Sequence, residues 1–313
     1  MSTREQRLDT LRKANFDDKF SAFLDQQLEA LEAQIYRVEY PELKARSFIP
    51  LKSDVPAGAE TFAYRVYDAF GEAVWLSNYQ NKLPTASVRG EKIVGKVEGM
   101  GTAYHYSIQD LRAAAMGGMA LESEHAEAAR AALERKVDDV SAFGDSKRGF
   151  VGFANHPNPD LTNATGSWSN SATDPLVILA DLMSFGKHVR AVTKEIFTPD
   201  TLLLPTSAYD AIATRLLSPT GSTRETILST FLAVNPWIKA VSSWPKLETA
   251  GTGSGTRAIA YKRDAKIVQL VIPMEMLQHP PQLDGLAYQV PMEMRFGGVL
   301  VRQPKAIYYM DGV

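Results

Sequence analysis

Near the start of the chain, apolar residues recur at the spacing of a helix. After a strongly charged run over residues 1–18, Leu24, Leu28, Leu31, Ile35 and Val38 follow at intervals of four and three. This predicts a helix from Phe20 with a narrow apolar stripe. The stripe is too short for an independent coiled coil, so it needs a partner, either this subunit's body or a neighbour's. Pro41, Pro50 and Pro56 then predict an extended run, because each disfavours helix at the residue before it.

The period next changes to two. Phe62 to Tyr67 alternates as a strand does, and Lys92 to Val97 returns as its partner. Between them, Gly71 to Gly90 carries Trp75, Tyr79, Leu83 and Pro84. A lone two-stranded hairpin is marginal in water, so its aromatics need an outside surface. Another copy of the chain would supply one; the hairpin's own core is the alternative. The candidate intersubunit contacts are therefore Leu24, Leu28, Leu31 and Ile35 on the helix, and Trp75, Tyr79 and Leu83 on the hairpin.

A strand over Thr102–Tyr106 meets a helix start at Ser107–Asp110, and Gly117-Gly118 interrupts. A long helix is predicted over Leu121–Phe143. Ala126, Ala129, Leu133, Val137 and Val140 line one face, and Glu122, Glu124 and Glu127 favour the positive end of the helix dipole. Arg130–Glu134 and Arg135–Asp139 are the attractive pairs one turn apart, and Gly144 is placed for a left-handed cap. Asn155–Asp174 reads as a loop and a boundary. Asp174-Pro175 predicts a capped helix through Leu176, Leu179, Leu182 and Met183 toward Val192. Thr201–Pro205 is a buried strand, and a helix runs from Ser207 through Leu217. A third helix, Arg224–Val234, is capped by Ser222 or Thr223. Ile238–Val241, Arg257–Tyr261 and Lys266–Ile272 are further strands, and Ala287–Tyr309 is strand-rich. The fold class is α+β.

Three stretches carry a resemblance: Tyr104–Ala114, Ala126–Asp145 and Gly149–Pro157. In their order they resemble the major capsid proteins of tailed bacteriophages, as the lead-in to a spine helix, the spine itself and the glycine- and asparagine-bearing turn after it. The resemblance implies an N-terminal arm over 1–58 and an extended loop with its flanking strands over 59–106. It implies a peripheral domain over 107–174 and 285–313, and an axial domain over 175–284. It implies self-association into pentamers and hexamers of an icosahedral shell around double-stranded DNA, with portal, scaffold and decoration proteins as further partners. The expected location is the virion, after assembly in the host cytoplasm. Some members of the family crosslink a loop lysine to a neighbour. Lys82, Lys92 and Lys96 lie on the matching segment, but nothing local marks any of them as reactive. An encapsulin-like nanocompartment shares the fold and is the nearest alternative. A soluble α+β enzyme or ligand-binding protein is the alternative of another class.

Composition changes this picture little. At 45% hydrophobic and 22% charged residues the chain is of globular type. A net charge of -2 lacks the basic bias of a nucleic-acid binder, which suits a wall that confines DNA without gripping it. The absence of cysteine excludes disulfides and cysteine-based metal sites. There is no membrane-length apolar run, and Met1-Ser2-Thr3-Arg4 opens without a signal-peptide core. His105, His125, His156, His188 and His279 form no zinc-binding helical pair; Glu124-His125 reads as a solvated face. Gly251 to Arg257 is glycine-rich, but it lacks the lysine and hydroxyl of a phosphate loop and reads as a flexible connection. No nucleophile elbow occurs. The sequence thus points to no catalytic residue, cofactor or metal.

Overall fold

The structure, a computed structural model, describes residues 43–73, 75, 85–110, 112, 121–217 and 225–313. It opens on one helical turn, α1 (Ala45–Phe48), and a short strand, β1 (Leu51–Lys52). β2 (Thr61–Phe70) and β3 (Ser87–Lys96) pair antiparallel as a two-stranded hairpin. β4 (Glu98–Ser107) leads to the long helix α2 (Leu121–Phe143). Between them, Ser107 opens a helical turn by a reciprocal exchange. The Asp110 N–H donates to Ser107 Oγ at 2.9 Å, and the Ser107 N–H donates to Asp110 Oδ2 at 3.1 Å. This satisfies two donors that a helix start otherwise leaves unpaired. The helix expected from Phe20, and Gly117-Gly118, lie outside the described residues.

α2 buries Ala129, Leu133, Val137 and Val140 on one face, with Ala126 partly buried. Burying a leucine or valine contributes about 1.5–3 kcal/mol, so this face fixes how the helix lies. It stops at Gly144, whose φ is +77°. A Cβ there would fall 2.3 Å from the Phe150 carbonyl, so only glycine fits. β5 (Gly144–Asp145) pairs with β6 (Phe150–Val151), and the chain doubles back onto the helix end. The N–H groups of Phe153 and Ala154 donate to the Ser141 and Ala142 carbonyls at 2.7 and 2.9 Å. Asn155 Nδ2 takes the Phe143 carbonyl at 2.6 Å. The turn after the helix therefore satisfies carbonyls that the helix itself cannot.

Several expectations need correction downstream. The stretch predicted as loop contains a strand, β7 (Asp160–Asn163). Its composition gives no strand signal, and it is a strand only because a partner strand pairs with it. α3 (Pro175–Val192) starts as predicted, with Asp174 Oδ1 accepting the Leu176 N–H at 2.9 Å. Its buried face is Ile178, Leu182, Phe185 and Val189, whereas Leu176 is exposed. β8 (Thr201–Leu204) is followed by α4 (Thr206–Thr214). This helix ends short of Leu217, because Arg215 turns to extended backbone and its guanidinium donates to the Trp168, Asn170 and Ser171 carbonyls. α5 (Ile227–Val234) begins later than Arg224. Its cap is Thr226, whose Oγ1 accepts the Ser229 N–H at 3.2 Å.

The remaining strands are β9 (Ala240–Ser243), β10 (Arg257–Tyr261), β11 (Val268–Val271), β12 (Met274–Gln278), β13 (Gln282–Asp284), β14 (Ala287–Phe296), β15 (Val299–Val301) and β16 (Ile307–Asp311). The central sheet runs β7-β16-β10-β8-β9, so it draws β7 and β16 from outside residues 175–284. It separates two cores, and its strands alternate between them. Leu203, Ile259, Tyr261, Ile307 and Tyr309 face the α2 side. Leu202, Leu204, Ala258, Ala260 and Tyr308 face α3, α4 and α5. Burial on both faces explains why these strands read as continuous apolar runs. On the α2 side, β4 pairs with β14 from Ser107–Ala287 to Glu98–Phe296.

The acidic groups of α2 reach other elements. Glu134 holds Arg46 at 3.0 Å, and Asp139 holds Lys246, in place of the pairing along the helix that the sequence suggests. The buried Asp138 accepts the Ala45 N–H at 3.0 Å, so α2 caps α1. Burial raises the Asp138 carboxyl above its ordinary range. The folded chain therefore holds this proton more tightly than the unfolded chain does. The resulting stability is fully present below about pH 3.9, the ordinary carboxylate value, and is lost as pH rises through the raised value. Asp138→Asn keeps an acceptor for Ala45 without a buried charge. Thermal melts should show the variant at least as stable as the parent at pH 7, with its advantage shrinking as pH falls toward 4. An advantage that grows on acidification would contradict this.

Candidate intersubunit surface

The β2–β3 hairpin turns one face toward its own subunit only near its base. There Phe62 and Tyr64 pack against Val55, Val97, Val271 and Leu300, and the Phe62 ring covers Gly95, where a Cβ would lie 2.4 Å from it. Farther out on that face Phe70 is exposed, and Tyr67, Val88 and Val94 are exposed on the opposite face. Exposed apolar residues on both faces of a projecting hairpin mark a surface that a partner would cover. Trp75 is 98% exposed, so it does not enter the core of its own subunit. Tyr79, Leu83, Leu24, Leu28, Leu31, Ile35 and Lys82 lie outside the described residues. A second opening, a groove of about 510 Å³, lies between α2 and β4. Met100, Leu133, Phe150 and Phe296 line it, with Lys136 and Arg148 at its rim.

The residues singled out for chemistry serve packing. The ring of His188 stacks on Tyr308 with centroids 4.1 Å apart, and its Nε2 lies 3.2 Å from Asp160 Oδ2. Lys305 also binds Asp160 at 2.5 Å, which foremost holds that carboxyl below its usual range. His279 lies 3.0 Å from Glu293 across the strands. His125, expected on a solvated face, stacks on Tyr104. Burial lowers His156. Among the described residues no group of three His, Cys, Asp or Glu could hold a metal ion, and no helix is long and apolar enough to cross a membrane.

The glycine-rich loop, expected to be a flexible connection, is tied down. The Thr252 N–H and Oγ1 donate to Asp311 Oδ2 at 2.9 and 2.8 Å. Asp311 also takes two donors from Arg257, at 2.6 and 2.8 Å, and Arg257 reaches the Ala154 carbonyl at 2.7 Å. Both ion-pair side chains are under 10% exposed. Burial alone would raise the Asp311 carboxyl; the bonds from Arg257 and Thr252 outweigh it and hold it low. The loop thus locks the end of β16 to β10, a long-range link with no local signature in the sequence.

A family model described as Major capsid protein matches residues 71–313. No curated protein sequence matches. Solved structures similar to this one include the capsid of Myoviridae phage XM1, with a TM-score of 0.81 at 18% identity, covering 92% of this chain and 98% of that one. The capsid of a native GTA particle overlaps with a TM-score of 0.62 at 13% identity, covering 90% and 94%. A virus-like particle from Pyrococcus furiosus overlaps at 0.51 and 11% identity, covering 84% and 90%.

Proposed function

Since the chain belongs to the major capsid protein family and is a capsid shell subunit, we propose that it builds a tailed-phage shell of pentamers and hexamers around double-stranded DNA. The observation that carries the mechanism is the hairpin with its exposed apolar and aromatic residues. In this reading it is the extended loop, reaching over a neighbour. Residues 1–58 form the arm that does the same, through Leu24, Leu28, Leu31 and Ile35. α2 is the spine of a peripheral domain over 107–174 and 285–313, and residues 175–284 form the axial domain. The contribution is mechanical, without catalysis. The net charge of -2 suits DNA held by confinement, with portal, scaffold and decoration proteins completing a particle assembled in the host cytoplasm.

Trp75→Ala tests it. The ring is solvent-exposed in its own subunit, so unfolding of unassembled subunits should shift by less than about 0.5 kcal/mol. Interface aromatics that become desolvated are often worth about 2 kcal/mol or more, which is roughly thirtyfold in affinity. Shells should form only at higher protein concentration. A large loss of subunit stability with unchanged assembly would place Trp75 in its own core and remove this support.

A further inference from the structure

The β2–β3 ribbon joins the body of the subunit at two neighbouring chain crossings, where the Val97 N–H donates to the Glu60 carbonyl at 2.8 Å. Among the described residues no third strand pairs with it. Two crossings side by side leave one motion open, a rocking about the line that joins them, so a contact off that line must fix the angle. The register places Phe62 opposite Gly95, just past the crossings, and along β3 every residue but Gly95 is exposed. The Phe62 ring fills a slot between that strand and the link from β14 to β15. A Cβ on Gly95 would lie 2.4 Å from the ring, and one on Gly297 would lie 3.3 Å from it and 2.8 Å from Val271. The far wall of the slot is fixed: the Gly297 N–H donates to the Val271 carbonyl at 2.8 Å, and the Val271 N–H donates to the Gly298 carbonyl at 3.0 Å. Packing this close leaves the ring no second position without moving a wall. Two residues on, the Tyr64 ring lies under the Arg302 guanidinium, 5.5 Å from its centroid, and braces the same face.

Leverage gives this contact its reach. A strand rises about 3.4 Å per residue, so Phe62 sits ~3 Å beyond the crossings and Phe70 ~30 Å beyond them. A tilt that moves Phe62 by a fraction of an ångström therefore moves the outer end by several ångströms. We propose that Phe62 is a positioning residue: its ring, held between Gly95 and Gly297, sets the direction in which the hairpin leaves the subunit, and hence where the exposed Phe70 and Trp75 are presented. Glycine at position 95 is part of the device, because a side chain there would push the ring from its slot. This deepens the shell-subunit reading and rests on it for what the direction serves. A shell of identical subunits needs every hairpin to leave at nearly the same angle. Phe62 belongs to a small cluster with Val55, Val97, Val271 and Leu300, apart from the two main cores, so loss of the ring should cost uniformity before it costs folding.

The chain has no cysteine, so Val88→Cys on the hairpin and Leu283→Cys on β13, both at exposed positions, accept one spin label each. Electron-resonance distances between the labels in unassembled subunits of the full chain should form one narrow population. Phe62→Ala should broaden that population severalfold. Gly95→Ala should leave it narrow but shift its centre by several ångströms, and the shift should vanish when Phe62→Ala is added. Tyr67→Ala, exposed on the other face of the ribbon, should change nothing. In assembly, Phe62→Ala should yield particles of mixed size from subunits that remain folded. A parent population already broad, a Phe62→Ala population as narrow as the parent's, or a Gly95→Ala shift that persists without the ring would each overturn the role of Phe62. Shells from Phe62→Ala as uniform as the parent's would overturn it as well. If Phe62→Ala proves insoluble, Gly95→Ala carries the test, and an unchanged distance there overturns the proposal. A parent that keeps one narrow distance yet forms no shells would instead sink the shell-subunit reading and leave the positioning role standing.

Discussion

Arg257→Ala is expected to destabilise the subunit by about 3–5 kcal/mol, a large fraction of a domain's whole stability. The loss goes beyond one ion pair. Asp311 would be left charged and buried, the Ala154 carbonyl would lose its donor at 2.7 Å, and the Tyr309 ring would lose the guanidinium 4.9 Å from its centroid. Replacing both members, with Arg257→Met and Asp311→Leu, should cost less than Arg257→Ala alone, because it removes both charges together. Denaturant unfolding of the single and double variants checks this; a double variant as damaged as the sum of its parts would mean the two groups act independently. Acid acts on the same link. Asp311 titrates below its ordinary value in the folded chain, so its contribution is present above about pH 3.9 and is lost as pH falls through the lowered value.

Val137→Asp should prevent folding. Val137 is 1% exposed on the inward face of α2, beside Asp138 and within a turn of Glu134. A new carboxylate there is buried, has no partner and is repelled by its neighbours, at a cost of several kcal/mol. The expected result is insoluble protein and no shells. Lys136→Ala is the matched control: its side chain is 55% exposed and only 3.8 Å from Asp145, a surface pair worth about 0–1 kcal/mol. Equal solubility of the two variants would show that the helix faces another way.

The facing and bounds of α2 were legible because Ala129, Leu133, Val137 and Val140 keep a helical period and Gly144 marks the end. The Asp174 cap was legible because capping is local chemistry. β7 was not, since Asp160–Asn163 becomes a strand only through its pairing with β16, far along the chain. α4 stops where Arg215 finds carbonyls in the loop around residues 168–173, and α5 starts at a cap that other hydroxyls nearby could equally have supplied. Helical spacing points the carboxylates of α2 to neighbours one turn away, whereas Arg46 and Lys246 come to them from distant segments. Within the candidate surface, alternation revealed the two hairpin strands but not their register. That Phe62 faces Gly95 depends on how the strands align, and sequence pattern leaves that alignment open.

The central claim is that this chain is a shell subunit whose exposed hairpin is completed by other copies. Electron microscopy of the purified protein tests it most directly. The account predicts closed particles of uniform size, built from five- and six-membered rings, with each hairpin lying across an adjacent subunit. A monodisperse monomer at high concentration that forms no particles would contradict it.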